Sequence, residues 1–556
     1  MRLIISRSHC PEISWNSWQT VQSLTAQSLK DIDLSIDVNI KGTIYSCREA
    51  LAIMRPKKFG KIVNMSSIAA KACLGGFSVY SATKAAVLAA KENSNLPIFV
   101  TNAYDENGKT LTGATPEAMV AMLEGMGANA IGVNCSLGPD ALKDIVRTYI
   151  KYSSIPIILK PNAGLPSVKD GQTVYDLDKE TFASQIASLI EEGINIVGGC
   201  CGTTPAYIAS LVDKCSKATM KHFTMKTHTM ISSYTHAVIF DKKPILIGER
   251  INPTGKKLFK EALVNNDINY ILNEGIKQQE SGVEILDVNV GLPDINEETM
   301  LKRVIYELQA IIDLPLQIDT SNVKALESAL RIYNGKPLIN SVNGKQESMD
   351  AVFPLAKKYG GVIIALTLDE KGIPTDAKER LIIADKIIKE AKKYGINRHD
   401  LIFDPLAMAI SADNNSGVET LKAVDMLTHL LMCKTSLGIS NISFGLPNRD
   451  AINASFFTQA MSKGLSAAII NPFSNEIMKS YHTYLAINGF DKNCSNYIDY
   501  INKEQIDYNL NKIQNLNTIF ESNNKQNTNE LSSIKNGGQK EYNQKYLKNS
   551  LKLKTR

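Results

Sequence analysis

The 556-residue chain lacks any apolar run approaching the roughly 18 residues that a membrane-spanning helix needs, which argues against a membrane protein. Its opening, MRLIISRSHCPEISW, has only a stub of apolar residues, too short for the core of a secretory signal. A strong charge of one sign is also missing. The 62 basic and 56 acidic residues leave a net +6, much of it in the Lys-rich C-terminus, which is a weak basis for nucleic-acid binding. The nine cysteines do not have the close, even spacing of a small disulfide framework. These absences predict a protein of the reducing cytoplasm, with no membrane and no nucleic acid among its partners, whose cysteines sit in cores or on a metal.

The remaining composition suits a large folded protein. Hydrophobic residues make up 44% of the chain, enough to fill the three or so compact units that its length predicts. Period-two apolar runs alternate with helical patterns almost throughout, the signature of parallel βα units and an α/β fold. The runs fall into three groups. The first, within residues 1–92, has a helix pattern from Ser35 to Pro56, a strand at KIVNMSS and a helix from Tyr80, a partial Rossmann-like fragment. The second, 93–215, has strands at PIFVTNA, ANAIGVNC, IPIILKPN and INIVGGCC, half of an eightfold barrel, which predicts two unpaired strand edges and an open apolar interior. After a polar linker at 216–243, the third group at 244–490 has eight strands: ILIGERIN, EILDVNVG, LQIDTS, LINSVNG, VIIALTLD, LIFDPLA, LGISNIS and AAIINPF. That is a complete (β/α)8, or TIM, barrel pattern. From 491 to 556 the chain turns Asn- and Lys-rich, which predicts a disordered or loosely helical tail.

Residues at the C-terminal ends of barrel strands project into the mouth where such barrels keep their chemistry. Cys135 in GVNCSLGP ends the second strand of the half-barrel, and Cys200 with Cys201 in GGCCGTTP end the fourth. Three thiolates on one face can hold zinc and leave a fourth position for a substrate thiol. Packing as inert core cysteines is the competing reading. In the third group Asp319, Asn340 and Asp404 occupy strand ends, where carboxylate and amide oxygens can accept from a row of ring N–H donors.

GVNCSLGP, KPNAGLP and GGCCGTTP resemble the second half of the homocysteine S-methyltransferase domain of the cobalamin-dependent methionine synthase family. That resemblance implies zinc held by Cys135, Cys200 and Cys201, and homocysteine as the thiol. GERINPTG, DVNVG, IDTSN, INSVNG, FDPLAMAIS and GISNISFGLPNR resemble, in the same order, that family's pterin-binding barrel. It implies 5-methyltetrahydrofolate as methyl donor, with Glu249, Asp319, Asn340 and Asp404 around the pterin and Asn441 at N5. Arg449 is either a partner for a folate carboxylate or a surface arginine. The family's DxHxxG cobalamin motif has no match after the barrel, so the resemblance implies cobalamin supplied in trans by another polypeptide. The segment from 491 resembles the start of the family's helical cap.

Asn39, Ser67, Tyr80 and Lys84 resemble the tetrad of short-chain dehydrogenases. The Gly-rich turn that would bring backbone N–H groups to a cofactor pyrophosphate has no counterpart before Asn39, which marks the tetrad as vestigial. The function expected is therefore a methyltransferase of the methionine synthase type. The alternatives are a methyltetrahydrofolate:corrinoid methyltransferase, an inactive fusion or folate-binding remnant, an NAD(P)-dependent short-chain dehydrogenase and, because it shares the barrel, a dihydropteroate synthase.

Overall fold

The computed structural model describes residues 97–503 except 222–224 and 226–227, together with the strand Met65–Ser66 and residue 505. Asn39, Ser67, Tyr80 and Lys84 lie outside the described residues, as do most of the 1–92 fragment and most of the 491–556 tail. The chain divides into two compact units, Met1–Ser480 and Tyr481–Arg556. In the second, the Asp491 carboxylate accepts from the backbone N–H groups of Asn496 and Tyr497 and so begins a helical segment there. Among the described residues no helix is long and apolar enough to cross a membrane.

The first sheet is parallel. Its strands are β1 (Met65–Ser66), β2 (Phe99–Asn102), β3 (Ala130–Asn134), β4 (Ile157–Lys160) and β7 (Ile196–Val197), in that spatial order. Among the described residues, the expectation of two unpaired edges on the half-barrel holds at β7 but is corrected at β2. Met65 pairs with Phe99 and Ser66 with Val100, so a strand from the first sequence group covers one edge of the second. Both outermost strands have only two residues, and short edges limit unwanted strand pairing. A hydrophobic core including Val120, Ile131, Val133, Tyr149, Leu159, Phe182 and Ile186 joins the sheet to its helices. Between β4 and β7 lies a hairpin that the periodicity did not predict, β5 (Pro166–Lys169) and β6 (Gln172–Tyr175). Its turn is Asp170-Gly171, both at positive φ, which suits a two-residue hairpin loop.

The third sequence group forms a closed parallel barrel. Its strands are β10 (Ile245–Ile251), β11 (Ile285–Val288), β12 (Leu316–Asp319), β13 (Leu338–Asn343), β14 (Val362–Leu366), β15 (Leu401–Asp404), β16 (Lys434–Gly438) and β17 (Ala467–Ile470). All eight expected strands are present, although ISNIS is a 3-10 turn at Ile439–Ser443 and not part of β16. The expected 216–243 linker also changes character. Within it, β8 (Met230–Ser232) and β9 (Ala237–Ile239) pair antiparallel. Ile231, Val238 and Phe240 pack with Ile245, Ile247, Ile285, Leu338, Val362 and Ile402, closing the barrel's N-terminal end. Ser232 and Lys336 exchange backbone hydrogen bonds at 2.9 and 3.1 Å, and Tyr333 donates to Ser232 O. The half-barrel also rests on this end: Thr115 N–H donates to Thr235 O at 2.7 Å. Gly360, at φ +74°, abuts Gly125 so closely that a Cβ would lie 2.3 Å from that residue's backbone.

A plug buried to this degree contributes to stability, whereas a linker does not. Phe240→Ala is expected to lower the unfolding free energy by about 3 kcal/mol, measured by denaturant titration. A change within about 0.5 kcal/mol would return the segment to the role of a connector.

Candidate functional site

Two clusters stand out, one on each sheet. On the first, the segment after β4 gathers the cysteines. Cys135 N–H donates to Lys160 O at 2.9 Å, Cys200 N–H to Pro161 O at 2.8 Å, and Cys201 N–H to the side-chain oxygen of Asn162 at 3.1 Å. The Lys160–Asn162 stretch is thus the template that brings the ends of β3 and β7 together. Cys135 and Ser136 both take positive φ, which turns the chain sharply at the end of β3. Gly202, at φ +78°, lies against the Tyr175 ring, where a Cβ would be 2.4 Å from ring carbon.

The resulting sulfurs are 3.5 Å apart for Cys135 and Cys201 and 4.0 Å for Cys200 and Cys201, with all three within 4.8 Å of one another. Tetrahedral zinc with bonds of about 2.3 Å sets its sulfurs roughly 3.8 Å apart, so the donor set and its spacing fit that ion. Sulfhydryl hydrogen bonding with Cys200 and Cys201, with burial added, pushes the Cys135 thiol well above the ordinary range. A cation among the sulfurs would relieve that penalty. Burial pulls the pKa of the Lys160 ammonium down while the neighbouring thiols oppose it. Lys160, Asn162 and Tyr175 were not singled out from the sequence, though the KPNAGLP motif contains the first two.

The second cluster occupies the mouth of the closed barrel. Period two places Ile245, Ile247 and Glu249 on one face of β10, Ile285 and Asp287 on one face of β11, and Ile402 and Asp404 on one face of β15. Apolar side chains at the plugged end thereby give way to polar ones at the C-terminal end. Of the expected residues, Glu249, Asp319, Asn340 and Asp404 sit on four of these strands, and Asn441 is exposed on the turn after β16.

Hydrogen bonds tie this set together. Ser440 donates to both Glu249 oxygens at 3.1 and 3.2 Å, which joins the Asn441 turn to β10. Asn289 donates to Asp319 at 2.8 Å, and Gln317 to Asp287 at 2.6 Å. Asp404 accepts the Leu406 N–H at 2.7 Å. Arg449 is exposed, as a surface arginine would be, and it also makes local hydrogen bonds. Its Nε donates to Ser443 and its Nη2 to Ser440 O, so it braces the turn that bears Asn441. Asp287, Asn289, Gln317 and Ser440 were missed as site residues, although DVNVG signals the first two.

The electrostatics are those of a carboxylate-rich mouth, with the Lys256, Arg250 and Arg449 charges near Glu249. Burial raises Glu249 despite the Ser440 hydrogen bond, raises Asp319 despite Asn289, and lifts Asp287 well above the carboxylate range with help from Asp319. Burial takes Asp404 up to about 7. Gln317 Oε1 is buried with no hydrogen-bond partner among the described residues. A ligand presenting several N–H groups would satisfy such a surface.

Comparison with known proteins gives three matched segments. The short chain dehydrogenase family matches residues 17–96, homocysteine S-methyltransferase 77–215, and pterin binding enzyme 248–471. The chain is a composite of segments similar to three families. The methionine synthase of Mycobacterium leprae is 31% identical over 416 residues, covering 70% of this chain and 34% of the relative. That of Mycobacterium tuberculosis is 29% identical over 409 residues, with the same coverage. The chain thus spans about a third of the length of these relatives. The resemblance carried by the sequence motifs agrees with these matches. Among solved structures, dihydropteroate synthases of Xanthomonas albilineans and Yersinia pestis are similar at TM-scores of 0.39 and 0.36. They are 20% and 16% identical, covering 47% of this chain and 98% and 99% of theirs.

The Asp404 carboxyl provides a pH test. Its folded pKa of about 7 lies above the unfolded value of about 4, so the native state binds the proton more tightly and this group favours folding increasingly as pH falls through 7. Asp404→Asn is therefore expected to be more stable than wild type at about pH 8 by a few kcal/mol, with the gap closing by about pH 4. Denaturation across that range checks it. A gap that widens on acidification would contradict the assignment.

Proposed function

We propose that this protein is a methyltransferase of the methionine synthase type that binds 5-methyltetrahydrofolate in the mouth of the closed barrel. The observation carrying this reading is the placement of Glu249, Asp319, Asn340 and Asp404 on four barrel strands, and of Asn441 on the turn after a fifth, within a segment similar to pterin binding enzymes. A reduced pterin offers its 2-amino group, N3–H and N8–H as donors, and these oxygens are the complementary acceptors.

Removing the methyl group breaks the N5–carbon bond and leaves its electron pair on N5, which must then carry a proton. A hydrogen-bond donor held at N5 lowers that barrier. The Asn441 side-chain amide takes this role, on a turn braced by Arg449 and tethered to Glu249 through Ser440. The methyl acceptor in this proposal is cobalamin held by a separate polypeptide. Cys135, Cys200 and Cys201 would hold zinc, which when bound supplies a Lewis acid that ionises the homocysteine thiol. A second reading, a methyltetrahydrofolate:corrinoid methyltransferase, is favoured by one observation. Among the described residues, the sheet bearing the thiols is open, with only five strands.

Calorimetric titration with 5-methyltetrahydrofolate tests the pterin site. Wild type is expected to bind, and Asn441→Ala to bind at least about tenfold more weakly. Equal, weak binding by both proteins would overturn the assignment. Elemental analysis after metal-replete purification is expected to find one zinc per chain, lost in the Cys200→Ser/Cys201→Ser double variant. Zinc-free wild type would remove the thiolate site.

A further inference from the structure

Arg380 is the largest of the fully enclosed side chains among the described residues, only 2% exposed. Lys378, Glu379 and Lys389 on the same helix, Ala377–Lys393, are exposed. A guanidinium keeps its proton inside a protein, so enclosing one requires acceptors. Nε donates to Pro374 O at 2.9 Å. Nη1 lies 2.8 Å from Pro405 O, 3.2 Å from Leu406 O and 3.1 Å from the Thr420 hydroxyl. One side chain thus grips the loop after β14, the loop after β15 and the helix that follows, Ser416–His429.

The grip falls on the two residues next to Asp404. Leu406 has φ +66°, a left-handed conformation disfavoured for leucine. Arg380 holds its carbonyl, Thr420 donates to the same carbonyl at 3.2 Å, and its N–H is spent on Asp404.

We propose that Arg380 is a positioning residue for the barrel mouth, clamping the Pro405–Leu406 turn so that the Asp404 carboxyl is presented to the pterin. This rests on the pterin reading of the mouth. Arg380 reaches Asp404 only through the turn and through its charge. Glu419, Asp404, Asp376 and Asp413 face the guanidinium, while burial acts on Asp404 against the Leu406 N–H and the Arg380 charge. Losing that charge therefore moves the ionisation midpoint of Asp404 upward from about 7, a change that a packing role alone does not produce. An ionised Asp404 accepts better from the ring donors, so the pH at which binding fades moves up with it.

The test uses the full chain and the variants Arg380→Met, Arg380→Lys and Thr420→Val. The first readout is the dissociation constant for 5-methyltetrahydrofolate from about pH 6 to about pH 9. The second, which needs no ligand, is hydrogen exchange of the segment 404–408. Arg380→Met is expected to bind about tenfold more weakly, with its pH midpoint shifted upward and faster exchange confined to that segment. Arg380→Lys should keep the wild-type midpoint but exchange faster, and Thr420→Val should exchange faster with no midpoint shift. If Arg380→Met does not fold, the other two carry the test. Unchanged exchange and unchanged binding alongside a lowered melting temperature would overturn the proposal. If wild type binds no pterin, the functional reading fails, and the exchange readout alone decides whether the clamp exists.

Discussion

Closure of eight parallel strands forces every second side chain of each strand into one shared interior, and the rest of this structure follows from how that interior is filled. Ile245, Ile247, Ile285, Leu338, Val362 and Ile402 fill the lower part, and Ile231, Val238 and Phe240 of the preceding hairpin seal it. Two residues further along the same inward rows, the side chains become Glu249, Asp287, Asn340 and Asp404. Polar groups are tolerated there because the apolar layers below already provide the burial that holds the barrel together.

Those polar groups are under-satisfied by the protein itself. Burial raises Glu249, Asp287, Asp319 and Asp404 alike, and the hydrogen bonds from Ser440, Gln317, Asn289 and the Leu406 N–H only partly offset it. Such a mouth stores binding energy for a donor-rich ligand. The thiol cluster of the other sheet is built on the same logic. The Cys135, Cys200 and Cys201 N–H groups donate to the Lys160–Asn162 stretch and hold the three sulfurs within 4.8 Å of one another, a spacing that suits a bound cation.

Much of this architecture was legible in the sequence because eight short apolar runs alternate with helical patterns along 244–490. What escaped did so for physical reasons. ISNIS alternates like a strand, yet Gly438 ends the ladder and the following residues close 3-10 bonds. The 216–243 stretch is polar on average, which hid three apolar residues that become buried only once a barrel exists for them to plug. Strand-end reasoning found Asp319 and Asp404 but passed over Gln317, a step deeper on the Asp319 row, and Asp287 on β11. Arg380 escaped because a charged residue on an amphipathic helix normally faces water, and only tertiary structure shows three carbonyl groups converging on it. The structure brings the three cysteines of the thiol motif together, whereas the strand that covers its sheet edge comes from a segment with a different family likeness.

The account stands or falls on occupancy of the barrel mouth by a pterin. A crystal structure of the protein with 5-methyltetrahydrofolate tests this most directly. The account predicts a pteridine ring seated at the C-terminal end of the barrel, its 2-amino and N3 donors within hydrogen-bond distance of Asp319, Asn340 or Asp404, and N5 beside Asn441. A ring bound elsewhere on the protein, or an empty mouth at saturating ligand, would contradict it.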